Sequence, residues 1–207
     1  MYYDIGDTDD QTIYKLMVST VTPRPIAWVT TQSPDGALNA APYSFFNAMG
    51  PNPPTLALGL MHDPARGRKD TARNILDTGE FVVNLVPRAL AEAMNVTAID
   101  APAQIDELAL AGLSTLPSTK VRPPRIDGSP VQFECSLLSG VATGPKQMVV
   151  LGRIEAIHIA DDKMLDPALN YVDTRGLDLV ARLEGSQWYQ QGGERFEMSR
   201  PVFDKDR

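Results

Sequence analysis

The sequence has few of the residues that form disulfides and zinc sites. It contains one cysteine, Cys135, and two histidines, His62 and His158, among 207 residues. One cysteine cannot form an intramolecular disulfide, and so few thiol and imidazole groups argue against a zinc site. We therefore expect no bound metal, and a fold that rests on its hydrophobic core, which a chain of this length can build.

An excess of positive charge and a long apolar run are also missing. The net charge is −7 and the pI is about 4.8, which argues against a nucleic-acid partner because phosphate binding needs a basic face. No apolar run is long enough to span a membrane, and the stretch MYYDIGDTDD is acidic where a signal peptide is basic and then apolar. We therefore expect a cytoplasmic protein with no nucleic-acid and no membrane partner.

The residues that are present have the composition of a globular protein, with 43% hydrophobic and 22% charged residues. No repeat, low-complexity tract or change of composition divides the chain. We therefore predict a single domain over residues 1–207, with a loop-rich part at 99–130 that contains many prolines, alanines and small polar residues.

Short periodic segments alternate with turn signals along the chain. The pattern predicts a first helix capped by Asp10 with Ile13, Leu16 and Met17 on one face, and two later helices at about 71–78 and 87–94. SPDG at 33–36 is a turn, because proline presets φ and glycine accepts the left-handed conformation. The predicted strands are 26–31, 38–50, 55–60, 80–86, 131–140 and 148–159, with a short one near Trp188.

Strands joined by hairpins, with only a few short helices, predict a mainly β fold in which an antiparallel barrel carries helices on its outside. The strand at 131–140 alternates, with Val131, Phe133 and Cys135 on one side and Gln132 and Glu134 on the other. This alternation predicts that only one face of the strand is buried.

The segment Lys69-Asp70-Thr71 lies where the second helix should begin. One interpretation is that Asp70 or Thr71 caps the helix while Lys69 is solvated. The other is an anion site, because helix N-termini attract negative charge and Lys69 and Thr71 add a cation and a hydroxyl. Three arginines lie close by in the sequence: Arg66, Arg68 and Arg73.

The stretch NAAPYSFFNAMG contains a proline inside a predicted strand. Proline cannot donate to a strand ladder, so one interpretation is an edge strand bulged at Pro42, with the neighbouring aromatic residues in the core. The alternative is a backbone bent to face the rim of a flat heteroaromatic ligand, with Ser44 and Asn47 as hydrogen-bonding groups. Local sequence does not decide between the two.

Taken in order, PRPIAWVTT, NAAPYSFFNAMGPNPPTLALGL, RKDTARNILDTGEFVVNLV and LGRIEAIHI resemble the flavin reductase-like FMN-binding proteins with the split-barrel fold. The resemblance implies an antiparallel split β-barrel with peripheral helices. It also implies a homodimer that binds FMN at the subunit interface. Trp28 or Trp188 is expected to help bury the flavin there.

The resemblance also assigns binding roles to residues of this chain. Residues of the first strand form one part of the flavin site. The segment around Pro42 borders the ring and ribityl parts of FMN, and the residues at the start of the second helix bind the phosphate. The residues in that order are Arg24, Pro25, Ile26, Thr30 and Thr31; Tyr43, Ser44, Phe45, Phe46 and Asn47; and Lys69, Asp70 and Thr71. No catalytic residue is assigned, because the flavin itself carries the redox chemistry.

One position departs from the family pattern. NADH-using members carry a Gly-Asp-His segment whose histidine aligns with Gln147 here, and His158 lies further along the strand, where we interpret it as structural. We expect an FMN-dependent oxidoreductase that uses NADH or NADPH, or that passes electrons to a partner oxygenase. The alternatives are a non-enzymatic FMN-binding electron carrier or flavin store, and a scaffold for another phosphorylated ring such as pyridoxal phosphate.

Overall fold

The body of the protein is a seven-stranded antiparallel sheet. The structure is a computed structural model that describes residues 1–63, 67–102 and 105–203, so Arg66 lies outside the described residues. The strands of this sheet are β2 (Ala27–Gln32), β3 (Leu38–Tyr43), β4 (Phe46–Pro51), β5 (Pro54–Met61), β6 (Glu80–Leu85), β9 (Val131–Gly144) and β10 (Gln147–Ile159). Their order in the sheet is β3-β2-β6-β9-β10-β5-β4.

The two edge strands of the sheet, β3 and β4, are consecutive in the chain and are joined only by Ser44 and Phe45. The backbone N–H of Gly59 donates to the carbonyl oxygen of Phe45 at 2.7 Å, so this link is held against β5. The sheet therefore curls until its two edges meet. The mainly β fold and the antiparallel barrel are confirmed.

Short strands and helices surround the barrel. The helices are α1 (Asp10–Thr20), α2 (Asp70–Thr78), α3 (Ala91–Val96) and α4 (Glu107–Leu110), and short 3-10 helices occur at Ile5–Asp7, Arg88–Leu90, Asp161–Lys163 and Pro167–Leu169. A second antiparallel sheet joins β1 (Arg24–Pro25), β13 (Val180–Arg182) and β14 (Tyr189–Gln191). The remaining pairs are β7 (Thr115–Leu116) with β8 (Arg125–Ile126) and β11 (Met164–Asp166) with β12 (Tyr171–Val172).

The predicted cap of α1 was wrong by one residue. The carboxylate of Asp9, not of Asp10, accepts hydrogen bonds from the backbone N–H groups of Gln11 and Thr12. An N-cap side chain satisfies the donors two and three residues ahead of it, and the helix is set one residue earlier than predicted. On this helix Val18 is buried while Met17, predicted on the apolar face, is 50% exposed.

Of the interpretation of Pro42 as a bulged position on an edge strand, the edge strand is confirmed and the bulge is wrong. Strand β3 is an edge strand, as proline requires, but it pairs with β2 from Leu38 to Tyr43 without a shift of register, and Pro42 lies opposite Trp28. The following aromatic residues diverge: Phe46 packs against the barrel core, while Phe45 meets Tyr14 of α1 edge to face, with ring centroids 6.4 Å apart.

Strand β9 does not have one buried and one solvated face. Gln132 and Glu134, on the face predicted to be exposed, are 4% and 0% exposed. The segment 117–126 covers this face: the backbone N–H of Thr119 donates to Glu134, and the side chain of Gln132 donates to the carbonyl oxygen of Ile126. A loop-rich segment therefore supplies hydrogen bonds that allow both faces to be buried.

The core has two parts. Leu56, Leu58 and Phe81 belong to the cluster inside the barrel, and Trp28 belongs to a second cluster between the barrel and the outer helices. The Trp28 side chain is fully buried and its indole N–H donates to the hydroxyl of Thr97 at 2.9 Å, so of the two tryptophans expected to help bury the flavin Trp28 does not reach the surface. Trp188 is 65% exposed.

Among the described residues no helix is long and apolar enough to cross a membrane.

Candidate flavin site

The N-terminus of α2 opens into a cleft of about 310 Å³, here called the α2 cleft. Its other walls are the edge strand β3 and the segment from Thr97 to Pro102, which follows α3. Four residues from the sequence prediction line it: Tyr43, Lys69, Asp70 and Thr71. The segment after α3 contributes a wall that no local sequence pattern indicated.

Among the residues that the structure describes, no side chain at the N-cap of α2 makes a capping hydrogen bond. Lys69 occupies the N-cap position, its ammonium group cannot accept a hydrogen bond, and no side-chain cap is made. The predicted caps Asp70 and Thr71 were therefore wrong: the carboxylate of Asp70 pairs with the guanidinium of Arg73 one turn ahead. The other end is as predicted, with Gly79 in the left-handed conformation at φ 73°. An uncapped helix N-terminus next to a lysine favours an anion.

The hydroxyl of Thr71 lies in the floor of the α2 cleft and belongs to a buried polar network. Thr71 is 1% exposed, and its oxygen accepts a hydrogen bond from the amide of Asn39 at 2.8 Å. The same amide donates to the oxygen of Thr31 at 3.2 Å, and that oxygen also accepts from the amide of Asn74 at 3.0 Å. The network joins β2, β3 and α2, so it fixes the helix end relative to the barrel.

Burial raises the pKa of two titratable side chains in the wall of the α2 cleft. Burial raises the pKa of Tyr43 to about 12, although a hydrogen bond with Thr71 acts in the opposite direction. The Tyr43 hydroxyl therefore stays protonated at neutral pH. Burial also raises the pKa of Glu107, whose carboxylate accepts from the backbone N–H of Ala40 at 3.1 Å.

A second cleft, of about 280 Å³ and here called the Arg24 cleft, adjoins the first. Pro42, Tyr43 and Ala98 line both clefts, and Arg24 and Ser44 line the second. The Arg24 guanidinium is largely committed to the fold, because it donates to the carbonyl oxygens of three residues: Val18 at 2.5 Å, Val21 at 2.8 Å and Leu183 at 2.8 Å. It also donates to the Ser44 hydroxyl at 3.4 Å, and burial lowers its pKa.

The other predicted site residues lie apart from the α2 cleft. Thr30 is fully buried and donates to the carbonyl oxygen of Pro124 at 2.6 Å. Pro25, Ile26, Phe46 and Asn47 line a mainly apolar groove of about 410 Å³ on the barrel, here called the barrel groove. Phe45 lines a further cleft next to α1. One chain therefore does not bring all the predicted residues to a single surface.

The position expected to hold a histidine behaves as a surface residue. Gln147 is exposed at the start of β10, and its amide donates to the hydroxyl of Thr143 at 3.2 Å. His62 lies near this turn, since its backbone N–H donates to the carbonyl oxygen of Lys146 at 2.8 Å. His158, by contrast, contacts Glu134 at 2.6 Å, which agrees with the structural role predicted for it.

Sequence reasoning missed Asn39, Asp100 and Glu107 of the α2 cleft. Asn39 carried a signal, because it is a polar residue in an otherwise apolar strand segment, LNAAP. Asp100 and Glu107 lie in the loop-rich segment and carried none. Asp100 forms an ion pair with Lys69, with Oδ1 and Nζ 2.5 Å apart.

The chain is similar to a known domain family and to bacterial proteins. The model of the flavin reductase-like domain family matches residues 18–177. An uncharacterised protein of Deinococcus radiodurans is 39% identical over 207 residues, covering 98% of this chain and 90% of the relative.

Two solved structures cover nearly the whole of both chains compared. Nitrilotriacetate monooxygenase component B from Bacillus cereus has a TM-score of 0.90 at 30% identity, covering 96% of this chain and 98% of the other. The 2-nitrobenzoate 2-nitroreductase NbaA of Pseudomonas fluorescens has a TM-score of 0.88 at 32% identity, covering 98% of each chain. The resemblance predicted from the sequence segments is confirmed, and the barrel is a split barrel.

Proposed function

Because the chain belongs to the flavin reductase-like family, we propose that it is an FMN-binding oxidoreductase whose α2 cleft holds the phosphate of the flavin. The observation that carries the proposal is the uncapped N-terminus of α2, with Lys69 at the N-cap position, opening into that cleft. Backbone N–H groups and the positive end of a helix dipole bind phosphate, and a lysine adds a full charge.

The residues around the two clefts fit the chemistry of FMN. Lys69 and the first turn of α2 would bind the phosphate, with Thr71 fixed beneath them by Asn39. Tyr43 lines both the α2 cleft and the Arg24 cleft, so a ligand that occupies both would pass its side chain. FMN, when bound, supplies the hydride and electron chemistry, and the protein contributes binding, orientation and hydrogen bonds.

The electron donor and acceptor are further parts of the proposal. We propose NADH or NADPH as donor and a partner oxygenase as one acceptor, supported by the 30% identity to a protein named as component B of a monooxygenase. The second candidate is a non-enzymatic FMN-binding electron carrier or store, which Gln147 in the expected histidine position favours. Oxidation of NADH and NADPH measured with added FMN distinguishes the two. Tight FMN binding without turnover of either donor supports the carrier.

We also propose that the single domain forms a homodimer with the flavin at the interface. Phe46 and Asn47 lie in the barrel groove and not in the α2 cleft, so a second copy is needed if all the predicted residues are to border one flavin. Exposed apolar side chains on β9 and β10, Leu138, Val141 and Ile157, offer a surface for such a contact. Light scattering that gives the mass of one chain at micromolar concentration with FMN bound would contradict the dimer.

Binding of FMN and riboflavin to the purified protein tests the phosphate assignment. For Lys69→Ala we expect FMN to bind roughly tenfold to hundredfold more weakly, because a hydrogen bond to a charged group contributes about 1.5–3 kcal/mol. Riboflavin, which lacks the phosphate, should bind equally to both proteins. Lys163→Ala is the matched control, since Lys163 pairs with Asp162 outside the clefts.

Three outcomes would overturn parts of the proposal. Protein that shows no flavin absorbance after incubation with FMN and removal of the excess does not bind FMN. A bound ligand with the spectrum of pyridoxal phosphate points to that ring instead. If the affinities for FMN and for riboflavin fall by the same factor in Lys69→Ala, Lys69 does not bind the phosphate.

A further inference from the structure

We propose that Asp100 competes with the flavin phosphate for Lys69, and that this competition makes FMN an exchangeable ligand of the protein. The inference rests on the proposed function, because it concerns the occupant of the α2 cleft. It goes beyond that function by assigning an affinity-setting role to a residue outside the predicted site.

The ion pair occupies the group that the phosphate needs. The ammonium of Lys69 lies 2.5 Å from Oδ1 of Asp100, and both side chains line the α2 cleft. The two side chains are 40% and 62% exposed, so the pair lies on the open side of the cleft, where a phosphate would enter. A phosphate approaching Lys69 therefore meets a carboxylate already bound to it.

The position of Asp100 is set by the fold. Asp100 follows Thr97, which is 1% exposed, accepts from the buried indole of Trp28 and donates to the carbonyl oxygen of Met94 at 2.7 Å. Ala101, which directly follows Asp100, is buried as well. The segment is therefore held at Thr97, before Asp100, and at Ala101, after it. This keeps Asp100 next to the N-terminus of α2.

Other charged residues that line the α2 cleft are Asp63, Arg68, Asp70, Arg73 and Glu107. Asp70 neutralises Arg73 and Glu107 is buried against β3, so Arg68 is the further cation that a phosphate would meet beside Lys69. A flavin phosphate carries close to two negative charges, and a carboxylate that stays paired with Lys69 cancels the attraction of the lysine for it. Binding of the phosphate to Lys69 therefore requires Asp100 to give up its ion pair, and this lowers the affinity for FMN.

The test compares the parent with Asp100→Asn, which keeps the size of the side chain and removes its charge. We expect FMN to bind about three- to tenfold more tightly to the variant and to dissociate more slowly, and riboflavin to bind with unchanged affinity. Asp162→Asn is the matched control, because it removes an aspartate from a lysine ion pair elsewhere on the surface. It should leave both affinities unchanged.

A double-mutant cycle with Lys69→Ala identifies the mechanism. If Asp100 acts by occupying Lys69, the gain from Asp100→Asn disappears in the Lys69→Ala background. A gain of the same size in both backgrounds means direct repulsion and overturns the competition. Equal or weaker FMN binding by Asp100→Asn, with one FMN still bound per chain, also overturns it. Failure of the parent to bind FMN at all refutes the proposed function instead.

Discussion

His158 donates a hydrogen bond from Nε2 to the buried carboxylate of Glu134, across a distance of 2.6 Å. Burial raises the pKa of Glu134, but hydrogen bonds from Thr119, Lys120 and His158 outweigh it, and the pKa lies below its ordinary value. The carboxylate is therefore ionised and can only accept, so the hydrogen must be on Nε2 of the histidine. The pair joins β9 and β10 to the loop at 119–121.

Replacing Glu134 by glutamine should destabilise the protein. The carboxylate accepts from the backbone N–H groups of Thr119, Lys120 and Val121, at 2.8, 2.5 and 3.2 Å, and an amide cannot satisfy them all. We expect the free energy of unfolding to fall by about 1.5–3 kcal/mol, measured by urea denaturation. Glu194→Gln, in the exposed C-terminal segment, is the control and should change it little. A loss of the same size in both variants would contradict the role of the buried carboxylate.

The same carboxylate should make stability depend on pH. A carboxyl group whose pKa is lowered by folding stabilises the folded state above its unfolded pKa, whose ordinary value is 4.5, and loses that contribution as pH falls through the lower folded value. The difference in unfolding free energy between parent and Glu134→Gln should thus be constant near neutral pH and shrink below about pH 4.5. Urea denaturation across that range measures it. A difference that grows on acidification would have the wrong sign.

Gly152→Ala should disturb the barrel core. A methyl group at this position would overlap the ring of Phe81, which is fully buried. Overpacking of this kind costs about 1–3 kcal/mol, and we expect a loss of at least that size in urea denaturation. Gly50→Ala, where an added methyl group meets no atom within 4 Å, is the matched control. Phe81→Leu should recover part of the loss in the double variant, and the absence of any recovery would argue against this contact as the cause.

Cys135 should be unreactive in the folded protein. Its side chain is fully buried and burial raises the pKa of the thiol, while the thiolate is the form that reacts. A thiol-specific chromogenic reagent should therefore label no cysteine under native conditions and one per chain in denaturant. Rapid labelling of the native protein would mean that β9 opens far more readily than its burial implies.

The extent to which the sequence specified the candidate site differs between its two sides. On one side, the position of helix α2, its stop at Gly79 and the lysine at its entry follow from neighbouring residues, although the predicted caps Asp70 and Thr71 were wrong. On the other side, Asp100 and Glu107 come from a segment without periodicity, where local patterns give no register. The predicted binding role of Arg24 and Thr30 met a similar difficulty. Residue type suggested a ligand contact, but both side chains donate to backbone carbonyl groups within the fold.

Local interactions thus determined the elements of this protein, and contacts between distant residues determined which groups share a surface. The turn at Ser33–Gly36, the stop at Gly79 and the strand β5 formed by the apolar run TLALGL depend on neighbouring residues, so the sequence by itself specified them. The Lys69–Asp100 ion pair, the burial of Trp28 under Thr97 and of Glu134 under the loop at 119–121 depend on how loops cover the barrel. The path of a loop depends on the hydrogen bonds and buried contacts that it makes with residues distant in sequence. Only the tertiary structure determines those contacts.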